Sequence, residues 1–403
     1  MEAVFSLSIG KIFFPSSDPY ISLLMSLAAF ALGFVTRPIG GILFGHIADI
    51  YGRKKSLVIS VGGMTITTLV IGLIPSYNSI GFFAPFFLII MRLIQGMCIS
   101  GEGAGAAIFI LEHYGNFKPG FIAGLVNASN IAGTLIASLI GIILSFMIGD
   151  DEYSFRIAFV IGALIGILSF YSRIKMSETP VFKMLAEKKQ VLKSPFFHVV
   201  KNSYKAMFIT FILGGAASSV VYLSKTYINV YYCDVMNFNH NKARLYLAYA
   251  SIIMMISMPI SGYISDIIGR FKMIIITNIS VILFSIPSLL LITSETFLYQ
   301  ILGVTTLASM GGFIAGSAYI FIISLFDAKE RFSGVSFSYN LGIAIFGGTS
   351  AAISRILVEC SGMHFAPSLY VIFTNLMLLV TLFYMKEYII NRINIYNRNN
   401  KKL

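Results

Sequence analysis

The 403-residue chain has no tryptophan, few charges and only three cysteines. Acidic and basic side chains make up 11% of it, against roughly a quarter in soluble domains. A soluble fold so poor in charge could not cover its own surface with polar groups. The shortage excludes a disordered chain, a coiled coil and almost any soluble enzyme. Cys98, Cys233 and Cys360 are far apart and fit no metal or redox spacing. His46, His113, His198, His240 and His364 are scattered, and none forms an i, i+4 metal pair. No cofactor is expected. A GxxxxGK[ST] loop is also missing, which argues against ATP-driven work by this chain alone.

What is present is apolar: 57% of residues are hydrophobic and the mean hydropathy is +0.84. A bilayer core of about 30 Å needs roughly 20 apolar residues per spanning helix. That ruler divides the chain into segments at about 3–14, 20–47, 56–75, 82–112, 119–148, 154–173, 206–231, 244–265, 272–293, 297–326, 333–358 and 367–388. The fold class expected is an all-α membrane bundle of twelve segments in two six-helix halves. The expected organisation is an N-terminal half over 1–173, a central loop over 174–203, a C-terminal half over 204–390 and a polar tail over 391–403. The first segment is short. Ala3–Phe14 would rise only roughly 18 Å as a helix, too little to span alone.

Lysine and arginine number 29 against 17 aspartate and glutamate. They are scattered between apolar runs, which fits the positive-inside rule better than a nucleic-acid footprint. Twenty-one of the 29 fall on the side of the central loop. Lys11, Arg156, Lys242 and Arg244 fall on the other, and Arg37, Arg92, Lys225 and Arg355 fall inside segments. This bias predicts a cytoplasmic central loop, N-terminus and C-terminus.

An internal repeat is the most informative feature. The loop after segment 2 carries Gly45, Asp49, Gly52, Arg53 and Lys55; the loop after segment 8 carries Gly262, Asp266, Gly269, Arg270 and Lys272. Both follow G-x-x-x-D-x-x-G-R-x-K, at equivalent places in the two halves. Gly45 and Gly262 would let a neighbouring helix approach closely. Asp49 and Asp266 would meet the positive N-terminus of another helix. Gly52 and Gly269 would permit the turn, and Arg53 and Arg270 would pair bidentately with carboxylates.

With this motif in both halves, twelve segments and a basic central loop, the chain resembles the major facilitator superfamily. Arg37–Gly41, Arg92–Gly96, Ser177–Phe182 and Arg331–Gly334 narrow the likeness. So does Ser338–Thr349, whose polar pair is Tyr339 and Asn340. Together these are similar to the metabolite:proton symporter family, over about 10–390. Ile74–Tyr77 and Gly105–Phe109 look most like its proline/betaine branch. The resemblance implies a full first helix, so a start upstream of Met1 or a degenerate protein is expected. It also implies proton-coupled symport of a small carboxylate-bearing solute, proline or a betaine, across a bacterial inner membrane by a monomer. Partners expected are that solute, protons and the lipid bilayer, with no nucleic acid. Alternatives are a dicarboxylate or 2-oxoglutarate symporter and a non-transporting sensor or decayed transporter. Two convergent cations in the cavity would favour a dianion.

Ionisable side chains at membrane depth are functional candidates by default. Glu102, among Gly101, Gly103 and Gly105, is the proton-coupling candidate, and the family resemblance places an acidic residue there too. A structural hydrogen bond is the alternative. Arg92 is a substrate-binding candidate, and Arg37, just before Pro38, is read as structural or gating. Lys225 is read as snorkelling outward. Asn127, Asn130 and Thr134 share one helix face. Asn127, Asn130, Tyr339 and Asn340 could line a central cavity or bond helix to helix. Asp327, Glu330 and Arg331 are read as gate or solvated charges.

Overall fold

The computed structural model describes residues 9–16, 19–114, 117–149, 151–234, 236, 238 and 240–400. Every regular element among them is a helix. Lipid offers no water to backbone N–H and C=O groups, so apolar runs close their hydrogen bonds within helices. Ten helices among the described residues are long and apolar enough to cross a membrane.

The short first segment falls largely on residues 1–8, outside the described residues. Residues 9–13 are helical, and Phe13 is buried edge-on against Phe155 with ring centroids 5.9 Å apart. The second segment, expected as one span, is two helices, α1 (Pro19–Val35) and α2 (Arg37–Tyr51). Pro38 explains the break: it has no N–H, and its ring cannot sit against the carbonyl of residue 34. Thr36 at the joint turns its hydroxyl to the Leu93 carbonyl, 2.9 Å away. Then follow α3 (Arg53–Leu73), α4 (Phe83–Tyr114), α5 (Pro119–Ile148) and α6 (Asp151–Lys175). Helix α3 packs between α4 and α6.

The 174–203 stretch holds two short helices, α7 (Pro180–Glu187) and α8 (Pro195–Asn202). Each starts on a proline, where the missing N–H costs nothing. The second group is α9 (Tyr204–Tyr222), α10 (Ile228–Asp234), α11 (His240–Ile268), α12 (Arg270–Ile292), α13 (Phe297–Ile323), α14 (Arg331–Gly342), α15 (Gly348–Ser361) and α16 (Pro367–Tyr384). A π turn, Leu223–Tyr227, joins α9 to α10, and another, Ile343–Gly347, joins α14 to α15. Such turns recur at functional sites.

The two groups meet along two main crossings, α2 on α14 and α5 on α11. Glycine sets both. A Cβ on Gly262 would land on the Gly120 carbonyl oxygen, and one on Gly45 would lie 2.6 Å from the Ser333 Cα. Any side chain there would part the helices.

The tail, read as a polar extension from Asn391, belongs to a helix, α17 (Lys386–Asn400). Its Ile389 and Tyr396 are buried. These two, with Ile393, recur at helical spacing and form one apolar stripe.

Candidate functional site

The repeated loop motifs join the two helix groups at one end of the bundle. The Asp49 carboxylate on α2 accepts the Ser333 N–H at 2.8 Å, in the first turn of α14. Reciprocally, Asp266 on α11 accepts the Gly120 and Phe121 N–H groups at 2.8 and 3.0 Å, in the first turn of α5. Each carboxylate thus caps a helix of the other group, where orphan N–H groups and the helix dipole favour negative charge. Gly52 and Gly269 both turn the chain at positive φ, +110° and +96°.

Arg53 is fully buried beneath this end. Its Nε donates to Glu112 at 3.2 Å, and its terminal nitrogens donate to the Ala48 and Ala328 carbonyls. Its guanidinium also lies 3.5 Å from Asp49. Glu112 was not singled out from sequence, yet it is the hub: it also accepts from Thr179 at 2.8 Å and from Arg331 at 3.1 Å. Glu178 accepts the Arg53 and Lys54 N–H groups, both at 3.1 Å, and so caps α3. Glu330, buried, accepts from Ser203 at 2.5 Å and pairs with His198. Glu330 and Arg331 are therefore buried charges, not solvated ones.

The repeat is not symmetric in its arginines. Arg270, expected to pair with a carboxylate, makes no ion pair among the described residues. Its guanidinium lies over the Tyr396 ring at 4.8 Å, and Arg331 shares that ring at 5.2 Å. The α17 helix supplies this substitute, and Arg392 from the same helix pairs with Asp327 at 3.2 Å.

Glu102 on α4 is held by Arg173 in the last turn of α6, which donates with both terminal nitrogens, one at 2.7 Å. Arg37 lies over the Phe34 ring, 4.1 Å from its centroid, and its Nε has no hydrogen-bond partner. Tyr339 packs on Tyr319, ring centroids 5.4 Å apart. The Tyr319 hydroxyl faces Gly103 on α4, next to Glu102 in sequence.

Other candidates do not join this group. Arg92 is buried and donates to Gln95 at 2.6 Å, with Gln95 in turn donating to Thr68; these partners all lie on α3 and α4. Asn127 donates to the Ala315 carbonyl at 2.8 Å and stitches α5 to α13, whereas Asn130 is exposed. Asn340 donates to the Ser336 carbonyl at 2.7 Å and to the Ser100 carbonyl at 3.4 Å. Lys225 does not snorkel: its Nζ reaches across to Thr134 at 3.2 Å. Among the described residues no group of three His, Cys, Asp or Glu side chains could hold a metal.

The family model described as Major Facilitator Superfamily matches residues 5–385. The chain belongs to the major facilitator superfamily. This major-facilitator chain is 30% identical to the glycine betaine/proline/ectoine/pipecolic acid transporter OusA of Dickeya dadantii, over 94% of its own length and 78% of the relative's. It is 29% identical to the proline/betaine transporter of Salmonella typhimurium over the same shares. Among solved structures it resembles the proton:xylose symporter XylE bound to 6-bromo-6-deoxy-D-glucose, with a TM-score of 0.74 at 13% identity, covering 96% of this chain and 94% of that one. It is therefore a multi-pass membrane transporter with the superfamily's all-α bundle, it binds small molecules, and it is not an enzyme.

Proposed function

We propose that the chain is a proton-coupled symporter for a small carboxylate-bearing zwitterion of the proline or betaine type. It works as a monomer in a bacterial inner membrane with its C-terminus in the cytoplasm. Residues 1–173 and 204–390 rock against each other about a central site. The two Asp-capped crossings are then the cytoplasmic latch, with Asp49, Arg53 and Asp266 holding the state closed to the cytoplasm.

The observation that carries the substrate reading is Arg37. Its side chain lies over Phe34, whose ring meets Tyr222 of the other helix group, and no described carboxylate pairs with it. Arginine binds a carboxylate through two parallel hydrogen bonds. A dianion would call for two cations converging there. Arg173 is taken by Glu102, and Arg92 is turned into α3 and α4. Lys225 is turned to Thr134 on α5, which leaves one converging arginine and favours a zwitterion over a dicarboxylate. The names of the relatives agree, since they transport proline and glycine betaine. Glu102 is the proton-coupling group, loading when Arg173 lets go of it.

Arg37→Gln tests this reading. Losing a charge-assisted bidentate contact costs about 2 kcal/mol, or roughly a 30-fold rise in half-saturation for both proline and glycine betaine. Arg37→Lys keeps the charge and should fall between. Unchanged half-saturation in Arg37→Gln would remove Arg37 from the binding site and the zwitterion argument with it.

A further inference from the structure

Arg37 lies over the Phe34 ring, 4.1 Å from its centroid, and that ring begins a set of aromatics drawn from both helix groups. Phe34 on α1 meets Tyr222 on α9 edge to face, ring centroids 5.5 Å apart. Tyr319 on α13 and Tyr339 on α14 lie against each other at 5.4 Å. The two pairs share α9: Tyr222 lies on it, and a Cβ on Gly214, about two turns earlier, would lie 3.0 Å from the Tyr339 ring. The Tyr319 hydroxyl faces α4, where a Cβ on Gly103 would lie 3.0 Å from it. Glycine at 103 therefore lets that hydroxyl pack close against α4.

The chemistry of this cluster is unusual for a helix interface. Tyr319 and Tyr339 are almost fully buried, yet their hydroxyls make no hydrogen bond among the described residues. The Arg37 Nε is buried and equally unpartnered. A plain packing contact would leave the Arg37 Nε uncompensated. A ligand that brings a carboxylate to Arg37 satisfies that group and lays a positive, non-donating head against the ring faces.

We propose that Phe34, Tyr222, Tyr319 and Tyr339 form a cage for a methylated ammonium group whose carboxylate is held by Arg37. The proposal rests on the zwitterion reading above and adds a preference within it. Ring faces attract a quaternary ammonium through their negative quadrupole and ask for no hydrogen bond in return. Glycine betaine has no N–H to leave unsatisfied. Proline carries two, and ring faces accept them poorly. The cage thus selects by methylation.

Two measurements test it on the full chain in proteoliposomes. In the first, unlabelled glycine, N,N-dimethylglycine and glycine betaine compete with labelled proline for uptake by the unaltered protein. Inhibition is expected to strengthen by about tenfold or more along that series, the scale of a desolvated cation–π contact. A flat or falling series overturns the cage. In the second, Tyr319→Leu and Tyr339→Leu are each compared with the matching Phe variant. Leucine is expected to raise half-saturation for glycine betaine by about tenfold and for proline by less than about threefold, with Phe recovering most of the loss. Equal shifts for both solutes would also overturn it. If the unaltered protein moves neither solute, the function proposed above fails first. If it moves both and methylation makes no difference, only the cage fails.

Discussion

Replacing Arg53 with alanine is expected to open the end of the bundle that carries the two loop motifs. The side chain is fully buried between Asp49 and Glu112, and it reaches the Ala328 carbonyl just before α14. Its removal leaves two buried carboxylates without their shared countercharge. Breaking a buried pair in this way costs about 3–5 kcal/mol. The Ala328 and Glu112–Arg331 links exist only when α2 and α14 are together, so most of that cost falls on the closed state. The ratio of closed to open forms should drop by roughly a hundredfold or more. Spin labels at exposed Tyr51 and Ile267, with the native cysteines replaced, report it as a lengthened distance. Arg270→Ala, whose side chain lies over a ring and makes no ion pair among the described residues, should shift the same distance far less. An unshifted distribution in Arg53→Ala would mean that the arginine is not part of the latch.

The second large effect is expected from Glu102→Gln. Glutamine keeps the shape and can still bond to Arg173, but it cannot carry a proton. Uphill accumulation driven by a pH gradient should vanish, while exchange of labelled for unlabelled solute continues. Exchange should also lose its dependence on pH. Retained gradient-driven accumulation would return Glu102 to the structural role, as a hydrogen-bonded brace between α4 and α6.

The loop-motif end was largely legible in the sequence because the same residue types recur at the same spacing in both halves. Glycine for the crossing, aspartate for a helix start and glycine for the turn follow from local chemistry alone. The partners were not legible. Glu112 sits at a segment end, where a count of lysine and arginine passes over it; Glu178 and Glu330 stand in stretches the sequence singles out, but nothing local names the groups they meet. Nothing local says that Glu112 meets Arg53, Thr179 and Arg331, which are remote in sequence. The loss of symmetry at Arg270 depends on α17 folding back.

The mid-chain site was harder to read for a different reason. In a membrane helix the lipid face is as apolar as the packed face, so periodicity does not say which side looks inward. Arg92 and Arg37 are therefore alike in sequence, yet one turns to Gln95 and the other lies over the Phe34 ring. The aromatic cluster hid in the same way. Phe34, Tyr222, Tyr319 and Tyr339 are four of 56 Phe and Tyr residues in the chain, 35 and 21 respectively, and only the packing of α1, α9, α13 and α14 brings them together.

The most direct test of the account is accumulation by the unaltered protein in proteoliposomes, with an inward proton gradient imposed or collapsed. Labelled glycine betaine, proline and 2-oxoglutarate are offered separately. The account predicts concentrative uptake of glycine betaine and proline that disappears when the gradient is collapsed, and none of 2-oxoglutarate. Accumulation of 2-oxoglutarate instead, or uptake indifferent to the gradient, would contradict it.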